Sequence, residues 1–142
     1  MVWNYFRMER QDLAELLSGT EAFSSVSPKA IELLLEAGEV KAIADSNVLI
    51  REGAMGESIW MLLEGKWVVD VKGEGANEID RRGSVVGEIS AVSHTPATAT
   101  VKSEGEGRAF CIPQEALHRA MTEFPELAGS MLRSMAKYLG RL

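Results

Sequence analysis

Few side chains in this sequence are of the types that perform covalent chemistry. It contains two histidines, His94 and His118, and one cysteine, Cys111. Neither histidine pairs with the other or with Cys111 at the spacing of a metal site, and no motif assembles a Ser-His-Asp or Cys-His triad. We therefore interpret His94 as a loop residue, His118 as a residue on a helix face and Cys111 as a small apolar residue in a strand. The sequence predicts no enzyme, no catalytic residue, no metal ligand and no cofactor.

One segment, residues 87–101 with the sequence GEISAVSHTPATATV, has the residue types of an anion site. Gly87 permits close approach of a ligand to the backbone, and the next six or so residues can form a short helix whose free N–H groups favour an anion. Glu88 is then free to accept hydrogen bonds from sugar hydroxyls. A Ser/Thr-rich turn between two strands, without any ligand, explains the same pattern, so both interpretations stay open.

Two helices are predicted before this segment. The stretch from Trp3 to Leu17 places apolar residues among charges without glycine or proline, which indicates a loosely amphipathic helix. A second helix has Ser27 as its N-cap and Pro28 at its first position, and Gly38 stands where a left-handed residue would end it.

From Glu39 onwards the apolar residues occur in short runs that are typical of strands. After two short runs, at residues 40–43 and 48–50, we predict strands at residues 58–63, 66–72, 78–82, 98–103 and 108–112. The first two of these five join at Glu64-Gly65, residues 73–77 form a polar turn, and residues 104–107 connect the last two. Trp67, Val69 and Val71 alternate with their neighbours, as in a half-buried antiparallel strand.

Helical periodicity returns after Pro113 and continues to the end. It predicts a short helix over Gln114 to Thr122 and a longer one from Glu126 to Tyr138 or beyond. Because strands and helices do not alternate, we expect an antiparallel sandwich or roll with helices at both ends. We predict a single domain over residues 1–142, with N-terminal helices in 1–38, a β-roll in 39–112 and C-terminal helices in 113–142.

Composition limits the partners of such a domain. The 142 residues include 21 acidic and 15 basic side chains, so the net charge is −6. This charge argues against broad attraction to nucleic acid or to an anionic membrane. No apolar run approaches the ~20 residues that a membrane span needs, and the first ten residues lack the apolar core of a secretory signal. We expect a cytoplasmic protein.

Three separated motifs resemble the cyclic nucleotide-binding domain family. They are residues 48–58 (VLIREGAMGES) together with 63–69 (LEGKWVV), the segment 87–101, and residues 124–128 (FPELA). The second is similar to the family's phosphate-binding cassette and the third to the start of its long C-terminal helix. The resemblance implies an eight-stranded antiparallel β-roll of the jelly-roll type with flanking helices. It also implies that cAMP or cGMP binds inside, as in catabolite-activator-like regulators and kinase regulatory subunits.

The same resemblance implies a role for each cassette residue. Gly87 and Glu88 would meet the ribose, Glu88 through the 2′-hydroxyl, and the backbone of Ile89 and Ser90 would line the cassette helix. Thr98 would offer its N–H and hydroxyl to the phosphate or to a guanine edge. The family has arginine after the cassette proline as the partner of the phosphate, whereas this sequence has Ala97.

Losing that arginine should weaken binding. Truncating one member of a buried charge pair costs about 2–5 kcal/mol, which corresponds to roughly 30-fold to several-thousand-fold in affinity. Four basic residues are candidates to replace it, although each is more often a solvated surface charge: Arg81, Arg82, Lys102 and Arg108.

The last predicted helix carries an apolar stripe at heptad-like spacing, formed by Ala128, Met131, Met135, Tyr138 and Leu142. The stripe would either cover the roll or form a homodimer seam through its last four members. No helix-turn-helix follows before the sequence stops, so we expect no DNA-binding domain in this chain.

We therefore expect a non-catalytic regulatory or sensor module that binds cAMP or cGMP weakly and signals through its C-terminal helix. The alternative is a degenerate domain that binds no cyclic nucleotide and serves as a structural, dimerisation or protein-interaction module. Ala97 favours the alternative, whereas Gly87, Glu88 and Thr98 argue against full loss of binding.

Overall fold

A computed structural model of the chain describes residues 2–20, 22–72 and 74–139, and the side chains among them from residue 10 to residue 136. Two helices come first, α1 (Val2–Ser18) and α2 (Pro28–Ala37). The strands are β1 (Glu39–Ile43), β2 (Val48–Ile50), β3 (Ser58–Val71), β4 (Gly75–Ile79), β5 (Val85–Val86) and β6 (Thr100–Pro113). Helix α3 (Glu88–Ser93) lies between β5 and β6, and α4 (Gln114–Glu123) and α5 (Pro125–Leu139) follow the last strand.

The strands form one antiparallel sheet built on its two longest members. β3 and β6 pair along their length, β1 and β2 pair with β6, and β4 and β5 pair with β3. Alternate side chains enter two cores. Met61 and Phe110 pack against the helices, whereas Leu62 and Trp67 pack in a second cluster on the sheet itself. The predicted antiparallel β-fold with helices at both ends is confirmed.

The strand number differs from the prediction, since the described residues form six strands instead of eight. The two predicted turns at Glu64-Gly65 and residues 104–107 lie inside β3 and β6, where the pairing shifts register but continues. Glycine makes this bulge feasible. Gly65 has φ +104, and a Cβ on Gly107 would lie 2.1 Å from the carbonyl oxygen of Glu64. Each predicted pair of strands is therefore one long strand.

Helix α2 begins as predicted but ends differently. The Ser27 hydroxyl accepts a hydrogen bond from the Ala30 N–H at 3.3 Å. Gly38 is not left-handed, because its φ is −93 and its ψ is 175. Glycine is needed there for space, since a Cβ would lie 2.5 Å from Cζ of Phe110. In the sheet, β4 starts at Gly75, earlier than the predicted Glu78, and Gly73 of the predicted turn lies outside the described residues.

The N-terminal and C-terminal helices match their predicted positions within about two residues. Leu127 and Met131 of α5 are buried in the helix-covered core, and the Ser130 hydroxyl donates to the Ala22 carbonyl at 2.8 Å. Among the helices that the structure describes, none is both long and apolar enough to cross a membrane.

Candidate functional site

A cavity of about 170 Å³ lies beside helix α3. All six residues that the sequence suggested for ligand binding line it: Gly87, Glu88, Ile89, Ser90, Ala97 and Thr98. Three further residues of the predicted segment 87–101 line it as well: Pro96, Ala99 and Val101. The rest of the wall is apolar and was not predicted as part of a site: Ile50, Val69, Val85 and Val86. The alternation of β3 already placed Val69 on the side of Trp67. The two residues of β5 are too few to show any period.

The turn into α3 depends on Gly87. This residue is the N-cap of the helix and has φ +89, in the left-handed region. A Cβ there would also lie 2.7 Å from the carbonyl oxygen of Ser58. Both the conformation and the contact with β3 therefore require glycine.

Ser90 holds α3 against the connection between β2 and β3. Its buried hydroxyl accepts from the Gly56 N–H at 3.1 Å and donates to the Thr95 carbonyl. A Cβ on Gly56 would lie 2.6 Å from that hydroxyl oxygen, so the close contact requires glycine. The Ser90 side chain thus positions the helix and leaves its hydroxyl already engaged.

The other end of α3 is attached to α4 through the Ala91 carbonyl. This oxygen accepts from Nε2 of Gln114 at 3.0 Å and from Nε2 of His118 at 2.8 Å. The Gln114 amide also donates to Nδ1 of His94 at 3.1 Å, and the two histidine rings meet edge to face with centroids 4.5 Å apart. His94 ends α3 in a left-handed conformation with φ 55. Both histidines therefore join the cassette helix to α4.

Glu88 is the ionisable side chain of the cavity wall in the part of the chain that the structure describes. Burial raises the pKa of its carboxyl group above the ordinary value, and a hydrogen bond from its own backbone N–H offsets part of the rise. Glu88 also borders a neighbouring groove of about 710 Å³, which Asp12, Arg81 and Arg82 line as well. The carboxyl group is thus available to hydroxyl donors at the cost of partial desolvation.

Position 97 is fixed through its backbone. The Ala97 N–H donates to the Ala54 carbonyl, and the Gly53 N–H donates to the Ala97 carbonyl, both at 2.8 Å. Ala97 is 8% exposed and forms part of the wall. Thr98 beside it is exposed, and no described residue forms a hydrogen bond with its hydroxyl.

None of the four candidate replacement cations lines this cavity. Nη2 of Arg82 lies 3.5 Å from Oδ2 of Asp12, and Arg81 lines the neighbouring groove. Arg108 forms an ion pair with Glu64 at 3.1 Å. Lys102 is exposed between the buried Val101 and Ser103, so strand alternation directs it away from the core that Val101 enters. The described wall therefore contains one acidic side chain and no basic one.

The predicted dimer stripe is divided by the fold. Met131 packs in the core of its own domain, and Met135 is half-buried. The Tyr138 side chain and the whole of Leu142 lie outside the described residues. Leu132, on the opposite side of α5 from the core, is 63% exposed. Homodimerisation through this helix stays a prediction.

Comparisons with known proteins add to this geometry. The chain is 24% identical over 131 residues to a CRP-like cAMP-activated global transcriptional regulator of Mycobacterium tuberculosis, covering 89% of this chain and 58% of that protein. It is 25% identical over 136 residues to a cAMP-dependent protein kinase regulatory subunit of Blastocladiella emersonii, covering 93% of this chain and 34% of that protein. The chain thus spans a little over half of the first relative and about a third of the second.

A solved structure shares the fold. The sensor domain of the transcriptional regulator DNR from Pseudomonas aeruginosa superposes with a TM-score of 0.72 at 20% identity, over 89% of this chain and 92% of that domain. The sequence profile of the cyclic nucleotide-binding domain matches residues 40–124, from the first strand to the end of α4. This match covers more than half of the sequence, and the chain belongs to the cyclic nucleotide-binding domain family.

Proposed function

We propose that this domain is a non-catalytic regulatory module that binds a cyclic mononucleotide, cAMP or cGMP, weakly in the cavity beside α3. The observation that carries the proposal is the convergence of all six cassette positions on one cavity. The names of the relatives, a cAMP-activated regulator and a cAMP-dependent kinase subunit, support the same ligand class.

This cavity retains the groups that would bind the ribose of the ligand. The Glu88 carboxylate accepts a hydrogen bond from the 2′-hydroxyl, and the backbone of Gly87 lines the cavity beside it. The free hydroxyl of Thr98 faces the remaining polar edge of the ligand. A charged acceptor strengthens such a hydrogen bond in a partly desolvated site.

Binding is weak because the phosphate finds no charged partner in the described wall. With Ala97 in place of the family's arginine, the loss is about 2–5 kcal/mol, or roughly 30-fold to several-thousand-fold in affinity. A site that would be micromolar with the arginine therefore moves towards millimolar.

The ligand signal passes from α3 to the C-terminal helices. Gln114 and His118 of α4 bind the Ala91 carbonyl, so a ligand that displaces α3 changes the docking of α4 and of α5 behind it. The size of the shift is set by the difference in ligand affinity between the two helix positions. A weak ligand gives a small shift.

A thermal-shift series with cAMP and cGMP tests this function. A ligand at about ten times its Kd adds roughly 1.4 kcal/mol, which corresponds to a few degrees for a chain of this size, so a Kd near millimolar calls for about 10 mM nucleotide. We expect a rise in Tm at about 10 mM nucleotide, loss of that rise in Glu88→Ala, and an unchanged rise in Glu74→Ala, whose side chain is exposed and does not line the cavity. The absence of a rise with either nucleotide would contradict the proposal. It would favour the alternative, a domain that binds no cyclic nucleotide and serves as a structural or interaction module.

A further inference from the structure

We infer that the cavity beside α3 prefers an uncharged nucleoside to a cyclic nucleotide. The inference rests on the proposed function, because it uses the same cavity and the same ribose contact. The described wall combines the Glu88 carboxyl group with apolar side chains from β2, β3, β5 and β6 and contains no basic side chain. A phosphate monoanion in this space would face a carboxylate without a compensating cation in the described wall.

The cost of a second negative charge is high where the first is already desolvated. Burial raises the pKa of Glu88, which means that the cavity already disfavours one ionised carboxyl group. Like charges placed together in an interface cost several kcal/mol, enough for a tenfold or larger loss of affinity. Ribose hydroxyls add no charge and donate to the carboxylate, so they stabilise its ionised form.

The backbone is held in place at position 97, where the family resemblance implies an arginine. Ala97 is held on both sides, to Ala54 and to Gly53, by hydrogen bonds of 2.8 Å. Its methyl group therefore remains the wall at the place where a basic side chain would have to project. Arg82 and Arg108 bind carboxylates elsewhere, and Lys102 is exposed on the other side of β6. Arg81 lines the neighbouring groove that Glu88 also borders, and it does not line this cavity.

The cavity has the size of a sugar, and its rim offers an apolar surface to a base. Its volume of about 170 Å³ is below the ~300–1,000 Å³ of pockets that enclose drug-sized ligands, so it accommodates a sugar more readily than a whole nucleotide. Ile89 lines the cavity and is nevertheless 38% exposed, which offers an apolar surface at the rim. A purine ring outside the sugar pocket would cover this surface and gain hydrophobic free energy.

Isothermal titration of the whole chain with adenosine, 2′-deoxyadenosine and cAMP tests the inference. We expect adenosine to bind at least about tenfold more tightly than cAMP, and 2′-deoxyadenosine to bind about tenfold more weakly than adenosine because Glu88 loses its donor. Guanosine and cGMP form a second pair for the same comparison.

Variants at position 97 test whether the charge of the wall, and not its shape, sets the ligand preference. Ala97→Arg should tighten cAMP binding at least tenfold and reverse the order of the two ligands. Ala97→Gln introduces a long but uncharged side chain, so adenosine should still bind more tightly than cAMP. Ala97→Lys supplies a second cation if the arginine variant does not fold. Unchanged cAMP binding in both cationic variants would overturn the inference, since the preference would not be set by charge at this wall.

The outcomes separate the two proposals. Tighter binding of cAMP than of adenosine by the unmodified chain overturns the inference and leaves the proposed function standing. Adenosine binding without detectable cAMP binding supports the inference and replaces the cyclic nucleotide in the proposed function. Absence of binding by any of the ligands overturns both.

Discussion

Glu88 connects the chemistry of the site to the stability of the fold. Its folded-state pKa lies above the ordinary value of 4.5 because burial disfavours the charged form. Between the ordinary pKa and the raised one, Glu88 is still protonated in the folded state, whereas in the unfolded state it has already released its proton. It follows that the contribution of Glu88 to the unfolding free energy decreases from acid pH towards neutral pH, the reverse of a salt-bridged carboxylate.

Glu88→Gln should raise the unfolding free energy at pH 7, because the amide occupies the same space without a charge to desolvate. The advantage should shrink as pH falls and disappear below the ordinary carboxyl pKa, where Glu88 of the parent chain is protonated. Urea denaturation from pH 4 to pH 8 measures this difference. Glu74→Gln, at an exposed position, should stay within about 0.5 kcal/mol at every pH. A variant less stable than the parent at pH 7 would refute the argument.

Among the elements, α3 shows what sequence reasoning reaches and what it misses. The glycine, the short helix and the small residues after Pro96 indicated a candidate anion site at residues 87–101, which only the family resemblance identified as a cassette. The predicted helix is present and spans Glu88–Ser93. Its attachments to Gly56 and Gln114 were not predictable, because they join residues 23 to 34 positions apart. The contact between Gly65 and Gly107 also joins residues distant in the sequence. Turns were therefore predicted at these glycines, whereas the structure has bulges within continuous strands. A glycine in the sequence does not reveal which backbone it approaches.

Gln114→Ala tests the attachment of α3 to α4. The variant removes donors to the Ala91 carbonyl and to Nδ1 of His94, while His118 still binds Ala91. We expect a loss of about 1–2 kcal/mol in unfolding free energy and weaker ligand binding, because α3 is less firmly positioned. Chemical denaturation with and without ligand measures both. Gln11→Ala, exposed on α1, should change neither, and equal behaviour of the two variants would show that the attachment does not matter.

For the whole molecule, the end helices and the sheet form one packed unit. Leu127 of α5 is fully buried in the same core as residues of α1, α2 and β3, so the C-terminal helix is part of the domain. The heptad-like stripe was consistent with this packing and with a dimer seam. Periodicity identifies an apolar face but not the surface that covers it, and Met131 turns out to face the domain itself.

Leu127→Ala should lower the unfolding free energy by about 2–5 kcal/mol, the usual cost of a cavity in a core. Leu132→Ala, on the exposed side of the same helix, should stay within about 0.5 kcal/mol. Thermal denaturation of the two variants compares them directly. If Leu132→Ala instead destabilised the protein in a concentration-dependent way, that face would be covered by a second copy of the chain.

The location of the ligand is the central claim, and an amide ¹H–¹⁵N NMR titration with cAMP up to millimolar concentration tests it most directly. We predict that the largest shift changes fall on residues 87–90 and 97–99, which line the cavity beside α3, with smaller changes reaching Gln114 and His118. Changes confined to the groove around Asp12, Arg81 and Arg82, or no changes at all, would contradict the account.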